Sequence, residues 1–494
     1  MKRQLGLLFR DSAVYGVAGA LNRFAKLLVV PLVAKTFPAA IFGAYDTATV
    51  AIYALASLCI LGLHSSVVII ATRGGGSASR ETMQRPASTG LRVTAAVSLV
   101  LAALLIVARE EFAVVLLGDR RYAGALAWAA ASIPFSSLLL YALALLQWSF
   151  RRAWYVGVAL GSALLTILLT YIAAFQTDYG LSGLFVANLA GQVVGAVLAL
   201  WAARDLITGQ WSRDIARDML RIGFPFALVG MGSTFLPLID RFFLVQYHSL
   251  DEAGLYGLGQ KIAVLSMLVL AGFQSAWGPF AFAQRDQAAK GRLFARIFLL
   301  VCGTVAFVAI MLVLFAPAIA RLAATSAYSA SAIFVGPLAL SYGLNAVFFV
   351  VAIGSVLEGR SLHNLTAYMS GMAVMVGANV VLAAVAAPPV AIAWANCGGK
   401  VVAAVIVAIL SQRVHPVPYP FMKGLAVLLA GAAVVALLGG TIQSLGPAAV
   451  AGLGLGLTAA FAAWCWYGLL GPPERRLLAA RIGGRTVPGR GGER

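Results

Sequence analysis

The chain has 494 residues, of which 61% are apolar and only 11% are charged, whereas ordinary soluble domains are about 25% charged. A stretch of ~20 apolar residues is long enough to cross a bilayer, and about fourteen such stretches would occupy most of this length. The composition therefore excludes a soluble enzyme and predicts an all-α polytopic membrane protein. A transmembrane β-barrel is also excluded, because its strands would alternate apolar and polar residues.

Fourteen hydrophobic spans separated by short loops are predicted along the chain. They cover 13–34, 44–65, 91–108, 122–148, 154–175, 181–201, 222–247, 254–283, 293–315, 331–357, 362–386, 390–411, 424–440 and 449–470. The even number of spans places both termini on the same side of the membrane. The basic N-terminus lacks a small-residue cleavage site, so the first span is interpreted as retained rather than as a signal peptide.

The formal charge of +19 suggests nucleic acid until the basic residues are located. Of the 36 Lys and Arg residues, 26 fall in the termini and loops on the side of the N-terminus, 5 in the opposite loops and 5 within spans. This asymmetry follows the positive-inside rule and places both termini in the cytoplasm. The charge therefore reflects membrane topology, and no nucleic-acid partner is expected.

The chain is predicted to consist of two six-helix lobes followed by two additional helices. The lobes are 1–203 and 222–411, joined by an amphipathic cytoplasmic linker at 204–221, whose segment 211–221 is expected to be a short surface helix. Two further spans at 412–470 and a basic cytoplasmic tail at 471–494 complete the chain. Gly43-x-Tyr45 and Gly254-x-Tyr256 recur 211 residues apart, which suggests a parallel repeat. The alternative to a duplication is that the same turn sequence arose twice without common ancestry.

Five cations lie within spans, namely Arg23, Lys26, Arg241, Lys261 and Lys400. Each costs about 2.5–3.5 kcal/mol at the bilayer centre, so each requires a partner or a wet cavity. Arg23 and Lys26 share a helix face near mid-span, which favours a functional role. Arg241 and Lys261 lie nearer the outer ends of their spans, where snorkelling explains them almost as well. At Lys400, function and a buried ion pair are equally open.

Asp240 is the one carboxylate expected to lie deep in the membrane, because Asp46 falls near the end of its span. Asp240 is expected to pair with a cation on another helix, and it is also the candidate for a proton- or sodium-coupling carboxylate. A cavity with more cations than acids suits an anionic substrate, phosphate in particular. The four cysteines and four histidines show no ligand spacing, so no metal, cofactor or catalytic residue is predicted.

Several short segments resemble the bacterial polysaccharide transporter family, which comprises O-antigen and exopolysaccharide flippases of the multidrug/oligosaccharidyl-lipid/polysaccharide exporter superfamily. The resemblance rests on 11–16 leading into Pro31-Leu32, on Phe42-Gly43-Ala44-Tyr45, on Phe224-Pro225-Phe226, on 239–244, and on 253–256 followed by Gln260-Lys261. It covers residues 1–65 and 220–265 well and the remainder only by the number of spans.

The resemblance implies two six-helix lobes around a central cavity that works by alternating access in the bacterial inner membrane. The implied substrate is an undecaprenyl-pyrophosphate-linked oligosaccharide, which Arg23, Lys26, Lys400, Arg241 and Lys261 would bind. The implied partners are membrane lipids and the machinery of polysaccharide polymerisation and export.

Two other functions remain open at this stage. An ion-coupled multidrug exporter of the same superfamily would require deep carboxylates in the first lobe. A membrane-embedded glycosyl- or acyltransferase would require converging acids, and the neighbouring acid pairs are Glu110-Glu111 and Asp251-Glu252.

Overall fold

The computed structural model describes residues 28–73, 79–283, 290–441 and 445–469, and within these ranges the regular structure is helical and contains no β-strand. The predicted all-α fold is confirmed. The helices are α1 Val29–Thr36, α2 Ala39–Cys59, α3 Leu63–Ala71, α4 Arg80–Val107, α5 Arg109–Leu117, α6 Ala123–Ala131, α7 Ile133–Trp148, α8 Arg152–Gln176, α9 Gly180–Ala202, α10 Arg213–Tyr247, α11 Leu250–Ala263, α12 Leu265–Ala283, α13 Lys290–Ala323, α14 Ala332–Val351, α15 Ile353–Leu357, α16 Ser361–Ala384, α17 Val390–Val414, α18 Phe421–Thr441 and α19 Pro447–Trp464.

Twelve helical segments among the described residues are long and apolar enough to cross a membrane, and each overlaps a predicted span. Several present most of their apolar surface outward: only 6% of the most apolar window of Pro447–Gly468 is buried within the protein. A lipid phase is the environment that such surface requires. Of the two remaining predicted spans, 13–34 lies mostly outside the described residues, and 222–247 lies within α10.

Helix α10 extends over 35 residues, and the segment predicted as a separate surface helix forms its first turns. The helix begins at Ser212, whose Oγ accepts a hydrogen bond from the backbone N–H of Ile215 at 3.3 Å. Pro225 and Pro237 lie inside it without ending it. Membrane helices tolerate such prolines because neighbouring groups satisfy the freed carbonyls. The expected end of the surface helix near Arg221 is therefore wrong.

By their contacts the described residues fall into two compact units. The first comprises the described residues up to Lys261 together with Ile319–Ser331 and Met372–Asn396, and the second comprises the described residues of Ile262–Ala318, of Ala332–Gly371 and from Cys397 onward. The predicted lobe boundaries at 203/204, 221/222 and 411/412 remain predictions.

Small residues allow close helix packing within the first unit. A Cβ added at Gly191 of α9 would lie 2.0 Å from Thr166 Oγ1 of α8, and one at Gly195 would lie 2.8 Å from Ser162 Cβ. Gly191 and Gly195, four residues apart on α9, thus allow α8 to approach this helix closely. On α7, the Tyr141 hydroxyl donates to the Ala87 carbonyl at 3.0 Å, which ties this helix to α4.

The second unit is packed by similar means. Gly424 of α18 lies against the Phe298 ring of α13, where an added Cβ would approach Phe298 Cε1 to 2.4 Å. The Phe307 and Phe461 rings stack with centroids 4.4 Å apart and so join α13 to α19.

Candidate functional site

The repeated Gly-x-Tyr segments pack directly against each other in the first unit. A Cβ at Gly43 of α2 would lie 2.1 Å from the Leu250 carbonyl oxygen, and one at Gly254 of α11 would lie 2.2 Å from the Ala39 carbonyl oxygen. Only glycine permits this backbone approach. One turn further along α11, a Cβ at Gly257 would lie 2.6 Å from Asp46 Oδ2. The two glycine contacts therefore bring α11 close to the Asp46 carboxylate.

Asp46 is the centre of a buried charged cluster formed by α2, α10 and α11. Arg241 donates to Asp46 Oδ2 from Nε at 2.9 Å and from a terminal guanidinium nitrogen at 2.5 Å. The same terminal nitrogen donates to Gln260 Oε1 at 2.6 Å, and the other donates to the Pro237 carbonyl at 2.9 Å. Lys261 Nζ lies 3.0 Å from Asp46 Oδ1. Each carboxylate oxygen of Asp46 thus has a cationic partner.

The two cations of this cluster differ in exposure. The Arg241 side chain is 0% exposed and that of Lys261 is 30% exposed. Arg241 therefore does not snorkel to an interface but bonds to groups inside the protein. Because two cations share one carboxylate, the cluster has one positive charge in excess, and Lys261 carries it at an accessible position.

A cavity of about 220 Å³ opens on this cluster within the first unit, and both Asp46 and Lys261 line it. Its described walls come from α1, α2, α6, α7, α8, α9 and α11, and apart from Asp46 and Lys261 they combine apolar and aromatic side chains with neutral polar ones. The uncharged polar residues of the lining are Tyr45, Thr49, Tyr53, Ser132, Ser136, Ser162, Thr166, Asn188 and Gln192.

Asp240 lies in a second polar cluster of the first unit and is fully buried. Its Oδ2 accepts hydrogen bonds from the Tyr256 hydroxyl at 2.5 Å and from Asn396 Nδ2 at 2.7 Å. Both donors are neutral, whereas the sequence predicts a cation on another helix. The adjacent Arg241 of the same helix bonds to Asp46, so the two neighbours on α10 have different partners. Asp46 is buried within the protein as well, at 4% exposed, so Asp240 is not the only buried carboxylate of the described residues.

Lys400 does not belong to either of these clusters. In the second unit, Lys400 of α17 donates to Asn345 Oδ1 at 3.3 Å and lies 5.2 Å from the centroid of the Tyr368 ring. These two partners are a neutral amide and an aromatic ring, and the lysine side chain is partly buried. Arg23 and Lys26 lie outside the described residues.

Sequence reasoning missed Asp46 and Gln260 as parts of the site. Asp46 directly follows the first Gly-x-Tyr segment, and Gln260 follows the second by one helical turn. The Gly-x-Tyr repeat was therefore the signal that could have identified both residues. Paired glycines mark a close helix crossing, and an acid beside that crossing becomes buried. Among the described residues, no group of three or more His, Cys, Asp or Glu side chains could hold a metal ion.

The chain matches the family described as "Polysaccharide biosynthesis protein" over residues 32–331, which is more than half of its length. It belongs to that family. The matched range contains the glycine contacts, Asp46, Asp240, Arg241 and Lys261. No match to a curated protein sequence is found.

Solved structures with the same fold include both flippases and multidrug transporters. The lipid II flippase MurJ in an inward closed conformation aligns with a TM-score of 0.71 at 14% identity, covering 93% of this chain and 100% of that chain. A multidrug resistance MATE family transporter of the MOP superfamily, in an inward-facing conformation, gives 0.65 at 16% identity, with 82% and 95% coverage. A Vibrio cholerae MATE transporter gives 0.56 at 14% identity, with 82% and 95% coverage. At these identities the likeness establishes the fold.

Proposed function

We propose that this protein is a flippase that moves undecaprenyl-pyrophosphate-linked oligosaccharide units across the bacterial inner membrane. The units would pass from the cytoplasmic to the periplasmic leaflet by alternating access and supply O-antigen, capsule or exopolysaccharide synthesis. Membership of a polysaccharide biosynthesis family and a fold shared with a lipid II flippase support this proposal. Both termini would lie in the cytoplasm, and polymerase and export proteins would act downstream.

The observation that carries the proposal is the excess positive charge at the cavity. Lys261 can leave Asp46 for an incoming anion, because Arg241 still neutralises the buried carboxylate through two hydrogen bonds. A pyrophosphate suits Lys261 because charge-assisted hydrogen bonds to phosphate oxygens are about twice as strong as neutral ones. The neutral polar walls around Lys261 suit the attached sugar.

The other predicted cations take different roles in this proposal. Arg241 acts through Asp46, which it holds in place, rather than by reaching the pyrophosphate from its fully buried position. Lys400, with neutral and aromatic neighbours, binds the anionic group at another stage of the transport cycle. Arg23 and Lys26 are proposed as further phosphate ligands on sequence grounds alone.

The test is flipping of a fluorescent polyprenyl-pyrophosphate-linked oligosaccharide in proteoliposomes containing the full chain. Lys261→Met should weaken substrate binding about 10- to 100-fold, the equivalent of one lost charge-assisted hydrogen bond. Lys261→Arg should retain most of the activity, and Lys423→Met, at an exposed lysine of α18, is the matched control. Full flipping by a correctly inserted Lys261→Met/Lys400→Met double variant would refute the proposal.

Asp240 is proposed to bind the coupling ion, because Tyr256 and Asn396, which donate hydrogen bonds to its carboxylate, are neutral and leave its charge available to a proton or Na⁺. Asp240→Asn should abolish the dependence of flipping on an imposed proton or sodium gradient while the protein stays folded. Gradient dependence identical to that of the unaltered chain would exclude this role.

An ion-coupled multidrug exporter is the second candidate, and the buried Asp46 favours it because such exporters require a deep carboxylate in the first lobe. The MATE fold is compatible with it. Two cations already bond to Asp46, however, and this makes the cavity unfavourable for a cationic drug. Expression in a drug-sensitised strain separates the candidates: resistance that depends on Asp46 would support export of drugs.

A further inference from the structure

We propose that the cavity of the first unit is a sugar subsite, which binds the neutral sugar residue attached directly to the pyrophosphate of the substrate. This inference rests on the proposed function and adds a selectivity element to it. The lining provides free hydrogen-bonding groups, aromatic surface and one available cation, and each of these features matches part of a glycosyl pyrophosphate.

The free hydrogen-bonding groups are the first argument. Gln192 of α9 and Ser136 of α7 line the cavity, and neither side chain bonds to another residue in the described part of the chain. The hydroxyls of Ser132, Ser162 and Thr166 instead donate to backbone carbonyls of their own helical segments, at 2.6, 3.2 and 2.8 Å. Those three oxygens retain lone pairs that accept bonds from sugar hydroxyls.

Ser136 is buried and Gln192 is half-buried, and polar groups that are shielded from water without a partner are unfavourable unless a ligand satisfies them. Gln192 could satisfy its carbonyl and its amino group simultaneously with two adjacent hydroxyls of a sugar ring. Ser136 could both donate and accept. The walls thus present donors and acceptors together, which suits a ligand that carries many hydroxyl groups.

The aromatic surface is the second argument. The Tyr45 ring of α2 lies 5.6 Å from the Phe185 ring of α9, and Phe42 and Tyr53 line the same cavity. Specific small-molecule sites combine such apolar walls with a few converging polar groups. A pyranose ring has apolar C–H faces and a hydroxyl edge, so it matches both parts of this lining.

Charge provides the third argument. Asp46 and Lys261 are the charged residues among the described residues of the lining, and both oxygens of Asp46 already bond to cations. Among the described residues, the lining therefore offers one positive group beside otherwise neutral side chains. A neutral sugar bearing an anionic group fits this distribution, whereas a free cation does not.

The experiment measures binding of short-chain substrate analogues to the full-length protein in lipid nanodiscs. The probes are farnesyl pyrophosphate, farnesyl-pyrophosphoryl-glucose and farnesyl-pyrophosphoryl-N-acetylglucosamine. At least one sugar-bearing probe should bind more tightly than farnesyl pyrophosphate. Gln192→Leu should reduce that advantage about fivefold, as expected for one lost hydrogen bond, and leave farnesyl pyrophosphate binding unchanged. Gln176→Leu, at an exposed glutamine at the end of α8, is the control.

The outcomes separate this inference from the proposed function. A sugar advantage that survives in both Gln192→Leu and Ser136→Ala overturns the sugar subsite. Equal affinity for all three probes does so too, while loss of farnesyl pyrophosphate binding in Lys261→Met would still support the flippase. Absence of binding by every probe, together with absence of flipping, overturns both.

Discussion

Removal of the two cations that share Asp46 should have opposite consequences for stability and for transport. Arg241→Met deletes the guanidinium that donates to Asp46, Gln260 and the Pro237 carbonyl, and it leaves these acceptors buried. Breaking a buried ion pair from one side costs about 3–5 kcal/mol. The Arg241 side chain is 0% exposed and that of Asp46 is 5% exposed, so this range applies, and its lower part is expected because Lys261 still bonds to Asp46.

Lys261→Met leaves Asp46 with both hydrogen bonds from Arg241, and the lost lysine was 30% exposed. Its contribution resembles that of a partly solvated ion pair, at most about 1 kcal/mol. Substrate binding should nevertheless decrease strongly in this variant. The structure therefore separates a cation that stabilises the fold from a cation that serves the cavity.

The assay is equilibrium unfolding of the purified chain in mixed micelles, followed by tryptophan fluorescence and extrapolated to the free energy of unfolding. The Asp46→Leu/Arg241→Leu double variant is the control, and it should recover much of the loss because it removes both buried partners. Equal losses for Arg241→Met and Lys261→Met, or a loss below about 1 kcal/mol for Arg241→Met, would refute the reasoning.

Three further outcomes are expected. Gly254→Ala should destabilise the protein by about 1–3 kcal/mol, because its Cβ would lie 2.2 Å from a carbonyl oxygen. Gly161→Ala, with open space around the added Cβ, should not destabilise it in the same unfolding assay. Tyr256→Phe should lose about 1.5–3 kcal/mol by removing a donor to a buried carboxylate, and an unchanged unfolding free energy would contradict that bond. The hydrogen bond from Arg151 lowers the pKa of Asp205. Its stabilisation is therefore complete above the unfolded pKa of about 3.9 and is lost as the pH falls through the lower folded value. Asp205→Asn should thus destabilise the protein at pH 7, and the difference from the unaltered chain should vanish in acid.

Much of the fold follows from local patterns in the sequence. Uninterrupted apolar segments of about 20 residues form helices in a bilayer, because a helix makes all of its backbone hydrogen bonds within the segment. The spacing of Gly191 and Gly195, four residues apart on one helix, is also a local pattern, and the structure shows close packing at both positions. The end of the helix near Arg221 was not predictable in this way, because neighbouring helices allow α10 to continue through Pro225.

The site was predictable in its chemistry but not in its pairings. Cations within apolar spans indicated a positive cavity, and the Gly-x-Tyr repeat marked two related segments. The pairing of acids with bases depends on which helices cross. Asp46 and Arg241, for example, form an ion pair although they are 195 positions apart in the chain. No spacing rule along the chain reaches that distance.

The sequence by itself determined that this protein is a helical membrane protein and that a few cations within its spans require partners, because desolvation penalises any buried charge wherever it lies. Only the tertiary structure decided that Arg241 forms a buried ion pair with Asp46 and that Lys261 remains accessible at a cavity. The physical reason is that the close approach of Gly43 and Gly254 brings α2 and α11 together. At that separation both Arg241 and Lys261 reach the Asp46 carboxylate.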